Sequence, residues 1–212
     1  MSTDYRNTEY CPELSKLTDK KCAVKNAVLK VHSKARDMHT YISDKDEPFK
    51  RQFAEAYNWK CAYCGVSIKI IPMGMFEVDH FIPKKAARFN NSKANAGCIE
   101  NLVLSCSDCN RLKGDFECLD EDLDKINPDG TQILNTFVRD DEYYIRINDK
   151  LKGDKVVSEF YERVRLGNEL HRIDYLLMNM CGLCDKIMDN ASAYRTLKDI
   201  IEVLQTKRNI IG

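Results

Sequence analysis

The sequence predicts an α+β fold in which a small cysteine-rich centre of short strands lies between helical flanks. Three observations predict it. Apolar residues recur at helical spacing toward both ends of the chain; short β-branched runs broken by Gly, Pro and Asn fill the middle; and two CxxC pairs bracket that middle. With 212 residues and 43% hydrophobic content, the chain is long enough for one good core. The pattern divides into a helical region at 1–57, a central core at 58–118, and a region at 119–212 in which a β-hairpin precedes helices.

Within residues 13–59, Leu14, Leu17, Val24, Ala27, Val28, Val31 and Ala35 recur mostly three or four apart among charged residues, as on an amphipathic helix. Pro48 suits the first turn of a second helix carrying Phe49, Phe53 and Tyr57 on one face. The runs SIKII and MFEVDHFIP, on either side of Pro72 to Gly74, predict two short strands joined by a turn, the second ending at Asp79 and His80. A looser stretch from Ala86 to Gly97 leads to ENLVLSCSDCNRLKG, read as a short strand or turn, a cysteine knuckle and the start of a helix. An NPDG turn then precedes two candidate strands, TQILNTFV and EYYIRI. From Lys155 onward the spacing is helical, through Val156, Phe160, Val164 and Leu166, then Leu170, Ile173, Leu176, Leu177 and Met180, with a last helix from about Ala191 to Lys207.

Ten cysteines in a chain with no basic-then-apolar leader point away from a secreted disulfide framework and toward metal binding in the cytoplasm. Cys61 and Cys64 form one knuckle, Cys106 and Cys109 another about 45 residues on, and together they supply four thiolates for a tetrahedral structural Zn²⁺. The alternative, four buried free thiols or one redox pair, lacks the βαβ surroundings of a redox motif. Gly65, directly after the first pair, suits the turn of a metal-bound knuckle. Cys181 and Cys184, with Cys22 and Cys98, read as small buried hydrophobes.

Lys+Arg and Asp+Glu are equal at 33 each, so bulk charge does not indicate a nucleic-acid partner. No apolar run approaches the length of a membrane span. Locally, however, Lys84, Lys85, Arg88, Lys93, Arg111 and Lys113 crowd the centre, which reads as a basic face able to contact phosphates. His32 and His39 read as surface residues, and His171 as a packed or surface polar group.

Between the knuckles lie Asp79-His80 and Asn101, with Asn110 directly after the second. CAYCG, EVDHFIPK, ENLVLSC and CSDCNRLKG, in that order, resemble the zinc-containing branch of the HNH endonucleases over roughly residues 58–115. The resemblance implies a ββα-metal core gripping one divalent ion. It also implies His80 as general base, Asp79 as a metal ligand, and Asn101 as the residue that fixes the loop holding the histidine. Asn110 falls where many members have His, so the second ligand becomes an amide oxygen. An all-oxygen pair favours Mg²⁺ or Mn²⁺ over a second zinc. On a strand, Asp79 and His80 point to opposite faces, one toward metal and the other toward water. The implied activity is metal-dependent hydrolysis of phosphodiester bonds in DNA, leaving 5′-phosphate and 3′-hydroxyl ends. The layout is also similar to nuclease subunits of bacterial anti-phage systems, including those that act beside an ATPase of the Septu type. The competing reading is a non-catalytic zinc ribbon that holds nucleic acid or a protein partner.

Overall fold

The computed structural model describes residues 4–44 and 48–212. The segment expected to be helical over 13–59 therefore includes 45–47, which lie outside the described residues. Its helices are α1 (Leu17–Val31), α2 (Met38–Ile42) and α3 (Phe49–Ala56). Leu17, Val24 and Val28 form the buried stripe of α1; Asp37 caps α2 by accepting from the His39 amide; and Phe49 and Phe53 with Tyr57 just beyond bury the α3 face the spacing predicts.

The centre consists of β1 (Phe76–His80), α4 (Lys93–Ala96), β2 (Leu102–Cys106) and α5 (Ser107–Lys113). β1 and β2 pair antiparallel, with Asp79 opposite Val103 and His80 opposite Leu102. All five β2 residues are buried. The expected hairpin around Pro72 to Gly74 does not form. Residues 67–71 close into a tight turn, with the Ile70 and Ile71 amides donating to the Ser67 carbonyl, and only Ser67 pairs, with Lys60. The partner of β1 lies beyond a long loop instead, because β2 buries its whole length against it.

The remainder runs α6 (Asp120–Ile126), α7 (Ile133–Thr136), β3 (Phe137–Arg139), β4 (Ile145–Ile147), α8 (Lys155–Val164), α9 (Glu169–Lys186) and α10 (Ala191–Ile211). β3 and β4 form the second two-stranded sheet. The first half of the predicted strand TQILNTFV is a helical turn, since the Gln132 carbonyl accepts from the Asn135 amide and the Thr136 hydroxyl. One hydrophobic cluster runs from Tyr5 through the three N-terminal helices and the central strands to Phe160 and Leu166, and a smaller one holds α9 to α10 through Ile173, Leu177, Cys184 and Ile201. Among the described residues, no helix is long and apolar enough to cross a membrane.

Candidate active site

The turn after α3 presents Cys61 and Cys64. The Cys61 amide donates to Val66 O (2.8 Å), the Gly65 amide donates to Cys61 O (3.0 Å), and the Ala62 amide bonds Leu104 O of β2 (2.7 Å). This last bond carries the first knuckle to the strand that ends in Cys106, with Cys109 in the first turn of α5. The four sulfurs are buried and lie within 4.8 Å of one another, and Cys64 Sγ is 3.9 Å from Cys106 Sγ. Four sulfurs at about 2.3 Å from one tetrahedral centre sit roughly 3.8 Å apart, so the cage fits Zn²⁺. Burial pushes the Cys61 thiol up, but hydrogen bonds from Cys106, Cys109 and Cys64 outweigh it and hold Cys61 well below its ordinary value.

The N-terminal arm seals the first knuckle. The Tyr5 hydroxyl donates to Tyr63 O, and the Arg6 guanidinium donates to Ala62 O (2.6 Å) and Pro128 O (2.7 Å). Gly65 has φ +82°, and a Cβ there would lie 2.8 Å from the Arg6 backbone, so both the turn and the overlying chain require glycine. The other cysteines divide. Cys184 is buried and Cys181 and Cys98 are half-buried, but Cys22 is exposed, contrary to its reading as a buried hydrophobe, because it lies on the outer side of α1.

α5 lies along one face of β1. Asn110 Nδ2 donates to Glu77 Oε2 (2.5 Å), and one helical turn on, Lys113 Nζ lies 3.3 Å from Asp79 Oδ2, which also accepts from the Tyr63 hydroxyl (2.7 Å). Burial raises the Asp79 carboxyl to about 6, and Lys113 and Tyr63 act against that rise. No hydrogen bond between described residues joins Asp79 to Asn110, or His80 to either. Oδ1 of Asp79 and Oδ1 of Asn110 remain free of hydrogen bonds from described residues, and Glu77 sits at their edge. These are hard oxygen donors, which suit a cation that keeps most of its waters. The thiolate cage is the single cluster of three or more His, Cys, Asp or Glu ligands among the described residues, so an oxygen site here would rest on one carboxylate and one amide.

Glu77, Tyr63 and Lys113 were not singled out from the sequence as site residues. Glu77 had a signal, since period-two alternation places it on the Asp79 face of β1. Lys113 is instead a correction. Read as part of an exposed basic face, it is 1% exposed and donates to His80 O (2.9 Å), Phe81 O (3.3 Å) and Gly114 O (3.4 Å), pinning the chain where β1 ends. Arg88 pairs with Asp120 and Arg111 with Asp108, which leaves Lys84, Lys85 and Lys93 exposed with no ion pair to a described residue. Lys113→Met keeps the stem but leaves the Asp79 carboxylate and three carbonyls without their cation. The expected loss is about 3 kcal/mol or more in urea unfolding. A curve superimposed on that of the unaltered protein would show that the ammonium is dispensable.

Asn101 is buried just before β2. Its Oδ1 accepts from the Ile82 amide (2.8 Å), and its Nδ2 donates to Ile82 O (3.0 Å) and Ala96 O (2.8 Å). One side chain thus ties the residues after His80 to the far end of the loop between the strands, while the Phe81 amide donates to Asn101 O.

His80 points away from Asp79, as strand alternation predicts, and packs on His39 with ring centroids 4.3 Å apart. Burial first, then His39, Lys84 and Lys113, lower its pKa to about 3, so the imidazole is neutral near neutral pH. The surface reading of His39 is therefore wrong: α2 turns it inward, with Nε2 3.2 Å from Val78 O. His32 stacks on Tyr41 at 4.4 Å. His171 is buried, and burial lowers its pKa to about 4, in keeping with packing.

Residues 61–116 match the family model described as HNH endonuclease. No curated protein and no solved structure matches the chain significantly. The match covers about a quarter of the chain and takes in the four-cysteine cluster, whose geometry suits zinc.

Proposed function

We propose that the protein is a metal-dependent endonuclease that hydrolyses phosphodiester bonds in DNA at the end of β1. The observation that carries the reading is the placement of Asp79 and His80 side by side at that strand end, inside the HNH domain, with Asn110 facing the Asp79 side. Asp79 and Asn110 would hold Mg²⁺ or Mn²⁺ through oxygen, with Glu77 able to bind one of its waters. The bound ion would neutralise charge on the phosphate and the leaving oxygen. His80, neutral and at the strand terminus, takes the proton of the attacking water. Asn101 keeps the loop after His80 from drifting, and Lys113 anchors the His80 and Phe81 carbonyls from the opposite side. Lys84, Lys85 and Lys93 supply exposed positive charge for the nucleic-acid backbone.

The test is an assay of the purified chain on supercoiled plasmid, linear duplex and RNA with Mg²⁺, Mn²⁺ or Zn²⁺. The expected result is nicking or cutting of DNA with Mg²⁺ or Mn²⁺, leaving 5′-phosphate ends, and none with chelator. Binding without cleavage under every metal would favour a non-catalytic ribbon. The helical flanks alone support a further placement, as an effector beside an ATPase in bacterial anti-phage defence. Copurification with a large ATPase subunit tests that part separately.

A further inference from the structure

His39 lies on α2, upstream of the first cysteine knuckle and outside the segment that matches the HNH family. Yet its ring is the one packed on His80, at 4.3 Å between centroids and an interplanar angle of 40°. A histidine that accepts a proton from water must present one nitrogen at a defined angle, and such a base is ordinarily oriented by a third group through a hydrogen bond. No hydrogen bond from a described residue performs that task for the His80 ring. Among the aromatic rings of the described residues, the one packed against it is His39.

His39 is itself held at several points. Its Nε2 lies 3.2 Å from Val78 O, and because a carbonyl only accepts, Nε2 carries the hydrogen. Asp37 caps the helix by accepting from the His39 amide (3.1 Å) and the Thr40 hydroxyl (3.0 Å). The Met38 amide donates to Gly97 O (2.9 Å), and a Cβ at residue 97 would lie 1.9 Å from Asp37 Oδ1. Glycine at 97 thus permits the close approach of α2 to the central loop. That loop is the one Asn101 closes through Ala96 O, so a single loop both follows His80 and seats the helix that bears on it.

We infer that His39 is a positioning residue that holds the His80 imidazole in its working orientation, so that the N-terminal helices form part of the catalytic apparatus. The inference rests on the reading of His80 as the base. The full chain with His39→Ala, His39→Phe and His80→Ala is compared for plasmid nicking kinetics and thermal melting. His39→Ala is expected to lower kcat about tenfold or more with KM within about twofold, since a small misplacement of a reacting group is enough to cost that much. His39→Phe keeps a flat ring against His80 and is expected to recover most of kcat, whatever its effect on melting. A folded His39→Phe as slow as His39→Ala, an unchanged kcat in His39→Ala, or a change confined to KM would overturn the inference while an inactive His80→Ala leaves the base assignment standing. Full activity in a folded His80→Ala would remove the base assignment and the inference with it. If His39→Ala does not fold, the folded His39→Phe decides by its kcat alone.

Discussion

Stripping the metal from the four-thiolate cage is expected to unfold the centre of the molecule outright. The cage joins the turn at Cys61 to Gly65 to the junction of β2 and α5, two stretches otherwise linked there by the Ala62 amide on Leu104 O and by packing. Structural zinc in small sites contributes on the order of 10 kcal/mol or more at neutral pH, and a typical domain is stable by only about 5–15 kcal/mol. Loss of the ion also leaves four buried thiols crowded together in place of metal-bound thiolates. The protein should therefore contain one zinc per chain. Cys109→Ser, or exhaustive treatment with a high-affinity chelator, should abolish the cooperative melting transition and the dispersion of the amide spectrum. Zinc-free protein with an unchanged melting curve would refute a folding role for the cage.

Replacing His80 by Ala is expected to abolish cleavage while leaving the fold and DNA binding in place. Removal of a general base costs typically a hundredfold to about ten-thousandfold in rate. The ring is buried but has no hydrogen bond to a described residue, so its removal leaves a cavity and no unpaired partner, with an expected loss of about 2 kcal/mol that the fold should survive. Single-turnover rates on plasmid DNA, read beside a binding isotherm and a melting curve, separate these effects. A folded His80→Ala protein that cuts at the original rate would show that the proton leaves by another route. Asp79 and Lys113 give a contrasting case, because they form an ion pair in the interior, so altering either strands a buried charge and is expected to disturb stability more than the loss of His80 does.

The two outcomes bear differently on how the molecule is encoded. The four-cysteine cage was legible because each CxxC is a local turn that places two sulfurs together, and two such turns need only meet. The adjacency of Asp79 and His80 was equally local, and strand alternation sends them to opposite faces, as the structure shows. The flanking helices were legible from period alone. The strand expected at 67–71 was misread because β-branched content does not say which partner a strand finds, and β2 was the better partner for β1.

What the sequence by itself determined was therefore the four-cysteine cage, the order of helical and strand regions, and the short string of polar residues on which a hydrolytic site could be built. The tertiary structure alone decided that Lys113 turns inward to the end of β1, that Asn110 faces Glu77, and that His39 crosses 39 residues of chain to reach the Val78 carbonyl beside His80. The physical reason is one of range. Spacing within a turn, strand or helix dictates geometry over a few residues, whereas contacts between elements are selected by burial of the whole core, which leaves no periodic trace at the positions it brings together.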